Sequence, residues 1–365
     1  MTHAGLGTGV PLLDWLKQYT FNYESRFNEV EFAQKVYPKV VRDTLRQGST
    51  TVSYFATIHL EATKVLYDVC VAAGQRALIG KVCMDRNAPD YYIEPCAAAS
   101  LEATKSFIEY CAEKNSPLVK PTITPRFAIT CTPELLEGLG DLAERYDCHV
   151  QSHLDENVNE IDFVKKLFPG KSYTQVYKDA GLLTNKTVMA HCVQITDDEL
   201  AMLRESGSGI AHCPTSNLSM FSGLAHVRHA LDSGVHVGLG TDVAGGYAHS
   251  ILTTMRDSLS VSSAVASCAR NEEEKLAGLK FEEAFFMATL GGAQAIGLSD
   301  RIGNFSPGKA FDALVVDVTS PNSNVITFGT ETASELFQQF IYLGDDRNIE
   351  HIYVQGRRVH GSAHV

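Results

Sequence analysis

From residue 26 onward the chain alternates amphipathic stretches with short runs rich in apolar and β-branched residues. RFNEVEFAQKVYPKVVRDTLRQG places its apolar residues mostly at helical spacing, and TTVSYFATIH after it reads as a strand. The same exchange recurs as EATKVLYDVCVAAG then RALIGKVCMD, LEATKSFIEYCAEKN then LVKPTITPRFAI, and PELLEGLGDLAERY then HVQSHL. A helical region to about residue 181 leads into KTVMAHC. DDELAMLRESG, opened by Thr196 and Glu199 as a capping box, leads into GIAHCPTSN. A helix near residues 223 to 233 leads into VHVGLGTD, and residues 250 to 298 then read as mostly helical.

Strand and helix in regular turn imply parallel strands joined by helical crossovers. A section of roughly 250 residues fits a TIM-type barrel better than an open sheet. About seven strands are counted where a closed barrel of this type has eight. The expected fold is therefore α/β, a TIM-type (β/α)8 barrel lacking its first strand. Beyond residue 300, RIGNFSPGKAFDALVVDV and IEHIYVQGRRVHG show Gly-rich turns between β runs. The expected division is a (β/α) barrel over residues 1–300 and a small, incomplete β domain over residues 301–365.

The 365 residues, 44% hydrophobic and 20% charged, have ordinary globular values that exclude disorder and coiled coil. Lys and Arg number 31 against 43 Asp and Glu, and the net charge of −12 speaks against nucleic acid and anionic membrane as partners. MTHAGLGTGV has neither a basic nor an apolar leader region. No stretch approaches the roughly 18 uninterrupted apolar residues of a membrane span. Nine scattered cysteines without Cys-x-x-Cys spacing look like reduced thiols, so a cytoplasmic location is expected.

In barrels of this kind the reactive groups stand at the C-terminal ends of strands. Those ends carry His59, Arg126 with Phe127, His153 with Glu156, His191, His212 and Asp242. A lone histidine there is more often a hydrogen-bonded structural residue, but successive ends from His153 to Asp242 make a shared site the better explanation. Imidazole with carboxylate suits zinc, or iron among nitrogen and oxygen donors, and His153 and Asp242 are the candidate ligands. Glu156, three positions after His153, is placed as a proton shuttle. In LGTDVAGG the glycines after Asp242 let backbone approach a ligand closely, although a turn or cap Asp would look the same.

Arg126 offers a fork of donors suited to paired acceptors such as guanine O6 and N7, and Phe127 a face for a flat heterocycle. A surface Arg beside a core Phe is the plainer alternative. His59 and Glu61 form a His-x-Glu, but Pro95 and Cys96 are followed by Ala99 where the second Cys of the other zinc deaminase class would stand.

In order along essentially the whole chain, PLLDWLKQYTF, TVSYFATIH, GKVCMD, TPRFAIT, QSHLDEN, TNKTVMAHC, AHCPTSNLS, GLGTDVAGGY, ATLGGAQAIGL, GNFSPGKAFDAL and LGDDRNIEHIYVQG resemble the amidohydrolase superfamily and, within it, the guanine deaminase family. The resemblance implies one zinc ion per subunit, hydrolysis of guanine at C2 to xanthine and ammonia in purine catabolism, and a homodimer. It implies that His153 and Asp242 bind the zinc and that Asp242 also takes a proton from the metal's water. Glu156 would protonate the purine ring and relay a proton to the leaving amine, and His191 would hold the water or the tetrahedral centre. Arg126 and Phe127 would orient the base, with His153 and Glu156 lining its pocket.

The family also carries a His-x-His at the end of its first barrel strand. No His-x-His occurs here, and His3 is the only histidine before His59. Two ligands alone are expected to bind zinc weakly, leaving this chain inactive or nearly so on its own. The alternatives are a deaminase of the same superfamily acting on a pterin, cytosine or triazine, or a non-catalytic partner of full-length subunits. Val365 suits a PDZ-type partner, but Ala363 stands where a hydroxyl residue belongs.

Overall fold

A computed structural model describes residues 1–268 and 277–361. The strands are β1 (Thr51–Phe55), β2 (Arg76–Gly80), the two-residue β3 (Val82–Cys83), β4 (Val119–Pro125), β5 (His149–Leu154), β6 (Thr187–His191), β7 (Gly209–His212) and β8 (His236–Leu239). They form one parallel path in the order β1-β2-β4-β5-β6-β7-β8, with β3 pairing to β4. Among the described residues no strand joins β1 to β8, so the barrel is open there, as the seven-strand reading expected.

Local chemistry sets the element ends. The helix Pro133–Arg145 starts with proline in its first turn and Thr132 Oγ1 accepting from Leu135 N. The helix Asp197–Ser206 has the capping box of Thr196 and Glu199 that its sequence announces, and stops at Gly207 in the left-handed region (φ 73°). Inside the barrel, buried Gln151 of β5 accepts from Ser53 Oγ at 2.6 Å and donates to Tyr54 O at 2.9 Å and Thr124 Oγ1 at 3.0 Å. One side chain thus ties β1, β4 and β5 together. On the outer face the helix Leu290–Ala295 lies against β7 and β8 at backbone distance. A Cβ on Gly209 would stand 2.3 Å from Ala295 O, so only glycine permits that approach.

Register delivers the site. Leu154 of β5 pairs with His191 of β6, so His153 and His191 emerge from neighbouring strand ends. Positions β-branched enough to make strands therefore also fix which polar residues meet at the barrel mouth.

The C-terminal region holds an antiparallel sheet of β9 (Ala313–Val316), β10 (Ile349–Val354) and β11 (Arg357–His360), in the order β11-β10-β9. It is not all β: the helix Ala333–Leu343 interrupts it, opened by a capping box of Thr332 and Glu335. Arg256 Nε donates to Ile341 O at 2.7 Å, and Arg76 makes a two-point ion pair with Asp312, so helix and sheet are both fastened to the barrel. All nine cysteines are free. No helix among the described residues is long and apolar enough to cross a membrane. Ala363 and Val365 lie outside the described residues.

Candidate active site

His153 is the next-to-last residue of strand β5, and Asp155, just past its end at Leu154, turns the chain with φ 48°. The following helix begins only at Val158, so Glu156 sits in the connecting turn rather than one helical turn beyond His153. That turn is pinned by buried Glu160, whose Oε2 accepts from Glu156 N at 3.0 Å and Asn157 N at 3.3 Å. His191 and Asp242 also have positive φ, 75° and 42°. Non-glycine residues in that region concentrate where a site fixes the backbone.

The ligand atoms of His153, His191 and Asp242 all lie within 4.8 Å of one another. His191 Nε2 stands 3.4 Å from Glu156 Oε2 and 4.0 Å from Asp242 Oδ2. The two imidazoles stack with centroids 5.5 Å apart. Each ring is aimed by a bond at Nδ1, His153 to Arg126 O and His191 to Asn217 Oδ1 at 2.8 Å. Both partners are acceptors, so Nδ1 carries the hydrogen and Nε2 keeps its lone pair for the site. His191 Nε2 is buried without a hydrogen-bond partner, an orphan that a cation would satisfy. The donor set of two imidazoles and a carboxylate therefore fits a metal ion, with three candidate ligands where the sequence offered two.

Electrostatics follow from burial and crowding. Burial, with His191 adding to it, lowers the His153 pKa to about 4, keeping that imidazole in its neutral, ligating form. Burial also disfavours charge on His191, but Glu156 and Asp242 more than offset it and raise its pKa. Glu156 is pushed up to about 7, chiefly by burial, against the pull of His191. Its Oε1 accepts from Ser222 Oγ at 3.2 Å.

These side chains share a cavity of about 1220 Å³ with Arg126 and Phe127, running from the mouth of β5–β8 toward the small sheet. The residues read from the sequence as a shared site are thus brought together, except two. His59 leads into the helix Leu60–Ala73, its ring 5.7 Å from that of Tyr92. His212 is fully buried on a second cavity of about 420 Å³.

The amidohydrolase family pattern matches residues 2–359. The chain belongs to the amidohydrolase family, in its guanine deaminase branch. It is 47% identical over 358 residues to the guanine deaminase of Dictyostelium discoideum, covering 98% of this chain and 78% of that one. Identity to the human guanine deaminase is 45% over 363 residues, 98% and 79% of the two chains. The fold matches a crystal structure of guanine deaminase from C. acetobutylicum with bound guanine in its active site, at TM-score 0.91, 38% identity and coverage of 98% and 83%.

Four residues of this amidohydrolase site carried no signal by spacing. Asn217 and Ser222 bond His191 and Glu156, Glu24 lines the cavity and pairs with Arg126, and Tyr92 bonds Glu24. Asn217 does fall within AHCPTSNLS, where a polar turn following a strand end was the available cue.

Proposed function

We propose that the chain hydrolyses guanine to xanthine and ammonia with zinc as its metal. The observation that carries the reading is the convergence of His153, His191 and Asp242 beside the Glu156 carboxyl, in a cavity also lined by Arg126 and Phe127. The relatives and the guanine-bound structure to which the chain is similar support the choice of substrate.

Borderline nitrogen and oxygen donors favour zinc, which when bound supplies Lewis acidity and lowers the pKa of water. The protein's own groups do the rest. Glu156, with a pKa near 7, both takes and returns protons: one from water goes to ring N3 as oxygen adds at C2, and the second goes to the exocyclic amine. The C2–N bond then breaks, ammonia leaves, and C2 keeps the oxygen as a carbonyl. Asn217 holds the His191 ring, which together with His153 and Asp242 would hold the metal, and Asp242 shares the first proton. Arg126 donates to O6 and N7, and Phe127 lies against the ring. The homodimer and the cytoplasmic location rest on the resemblance and the reduced cysteines; sedimentation velocity tests the former.

Zinc-supplemented protein is expected to convert guanine to xanthine with release of ammonia, and to leave pterin, cytosine and triazine rings intact. Turnover of one of those rings in place of guanine, by folded protein, overturns the reading.

A further inference from the structure

Arg126 carries an ion pair that the reaction above does not use. Glu24, the last residue of the helix Phe21–Glu24, accepts from Arg126 Nη1 at 2.7 Å and Nη2 at 3.2 Å, a two-point fork. Tyr92 OH donates to the same carboxylate at 2.6 Å, and the Phe21 ring covers the guanidinium at 5.2 Å. The side chains of Arg126 and Glu24 are 10% and 18% exposed, and both line the cavity with Glu156 and His191.

A buried ion pair is a weak device for stability, because desolvation offsets most of its attraction. This pair faces the substrate cavity, where it has two consequences. The fork takes one N–H from each Nη and fixes the guanidinium plane, leaving the remaining guanidinium N–H groups for the base. The pair is also neutral as a unit. Guanine is uncharged near neutral pH, whereas xanthine is the more acidic purine and readily becomes an anion. An uncompensated guanidinium would hold that anion.

We propose that Glu24 is a positioning and specificity residue: it sets the plane of Arg126 for uncharged guanine and, by neutralising it, prevents retention of the xanthine anion. The inference rests on the guanine reading above. The other charged or titratable groups around the pair are the Met1 amine, His3, Tyr37, His59, Tyr92, His153 and Asp242.

The test compares wild type with Glu24→Gln, zinc-supplemented and at one pH above the ionisation of xanthine. It reads kcat and KM for guanine and, by calorimetry, the Kd for xanthine. Glu24→Gln should lower kcat/KM by roughly 10- to 100-fold while xanthine binds several-fold tighter. Tyr92→Phe keeps the Glu24 charge but removes one of its bonds; it should raise KM for guanine without tightening xanthine, and it carries the test if Glu24→Gln does not fold. Equal weakening of both purines in Glu24→Gln, no change in either, or an unchanged KM in Tyr92→Phe overturns the proposal while wild-type turnover leaves the function standing. Wild type that neither binds nor converts guanine overturns the functional reading itself.

Discussion

Two of the buried polar clusters of this barrel differ in how completely their atoms are used. Following β2, Lys81 is held by Glu94, by Val82 O at 3.0 Å and by Ser100 Oγ at 3.5 Å, while Glu94 Oε2 also accepts from Met84 N at 3.0 Å. At the ends of β5, β6 and β8, His191 Nε2 has no hydrogen-bond partner although two carboxyls stand within 4.0 Å, and Glu156 is left with a carboxyl poised near neutrality. The first cluster spends its bonding capacity on the fold. The second keeps some in reserve, which is what binding a metal and moving a proton require.

The comparison is broken most directly at Glu156. Glu156→Gln keeps the shape and removes the exchangeable proton, so turnover of guanine should fall by about 10²- to 10⁴-fold, with the thermal midpoint little changed. Lys81→Met should do the reverse: leaving Glu94 buried and unpaired costs about 3–5 kcal/mol, read by denaturant unfolding, while turnover per folded molecule stays close to wild type. A loss of turnover without a loss of stability in Lys81→Met would erase the distinction between the clusters.

Asn217→Ala sharpens it further. With its Nδ1 partner gone, the His191 ring is no longer held, and zinc affinity should fall by about 10- to 100-fold, measured by competition with a chelating dye. The smallest effect is at Asp155, 1% exposed and crowded by Glu199 and Glu160. Burial first, then those carboxylates, push its pKa up to about 9. The folded pKa lies above the unfolded value, near 4, so the folded state holds a proton that the unfolded state releases. Stability is therefore lost as pH rises through that window. Asp155→Asn should raise stability by on the order of 1–2 kcal/mol at pH 8, with a smaller gain at pH 5, followed by thermal unfolding at both values.

Much of this was legible in the sequence for a local reason. Alternating strand and helix patterns are written in consecutive residues, and a parallel barrel turns that order directly into strand ends around one mouth, so His153, Glu156, His191 and Asp242 could be picked out together. The helix Ala333–Leu343 was hidden behind Gly-rich turns although Thr332 and Glu335 announce its start. Glu24 was not legible at all, because its meaning depends on Arg126, 102 residues away. The same holds for His59 and His212: His212 ends β7 as expected, whereas β1 stops at Phe55 and His59 opens the next helix, and packing directs both away from the main cavity.

The central claim is that the incompletely satisfied cluster is a metal-dependent guanine-hydrolysing site. It is tested by stripping the protein with a chelator, returning zinc in steps, and reading bound zinc and xanthine formation on the same samples. Xanthine formation should rise in proportion to zinc and level off at about one ion per chain. Full activity in the stripped protein, or one zinc bound per folded chain with no xanthine formed, would contradict the account.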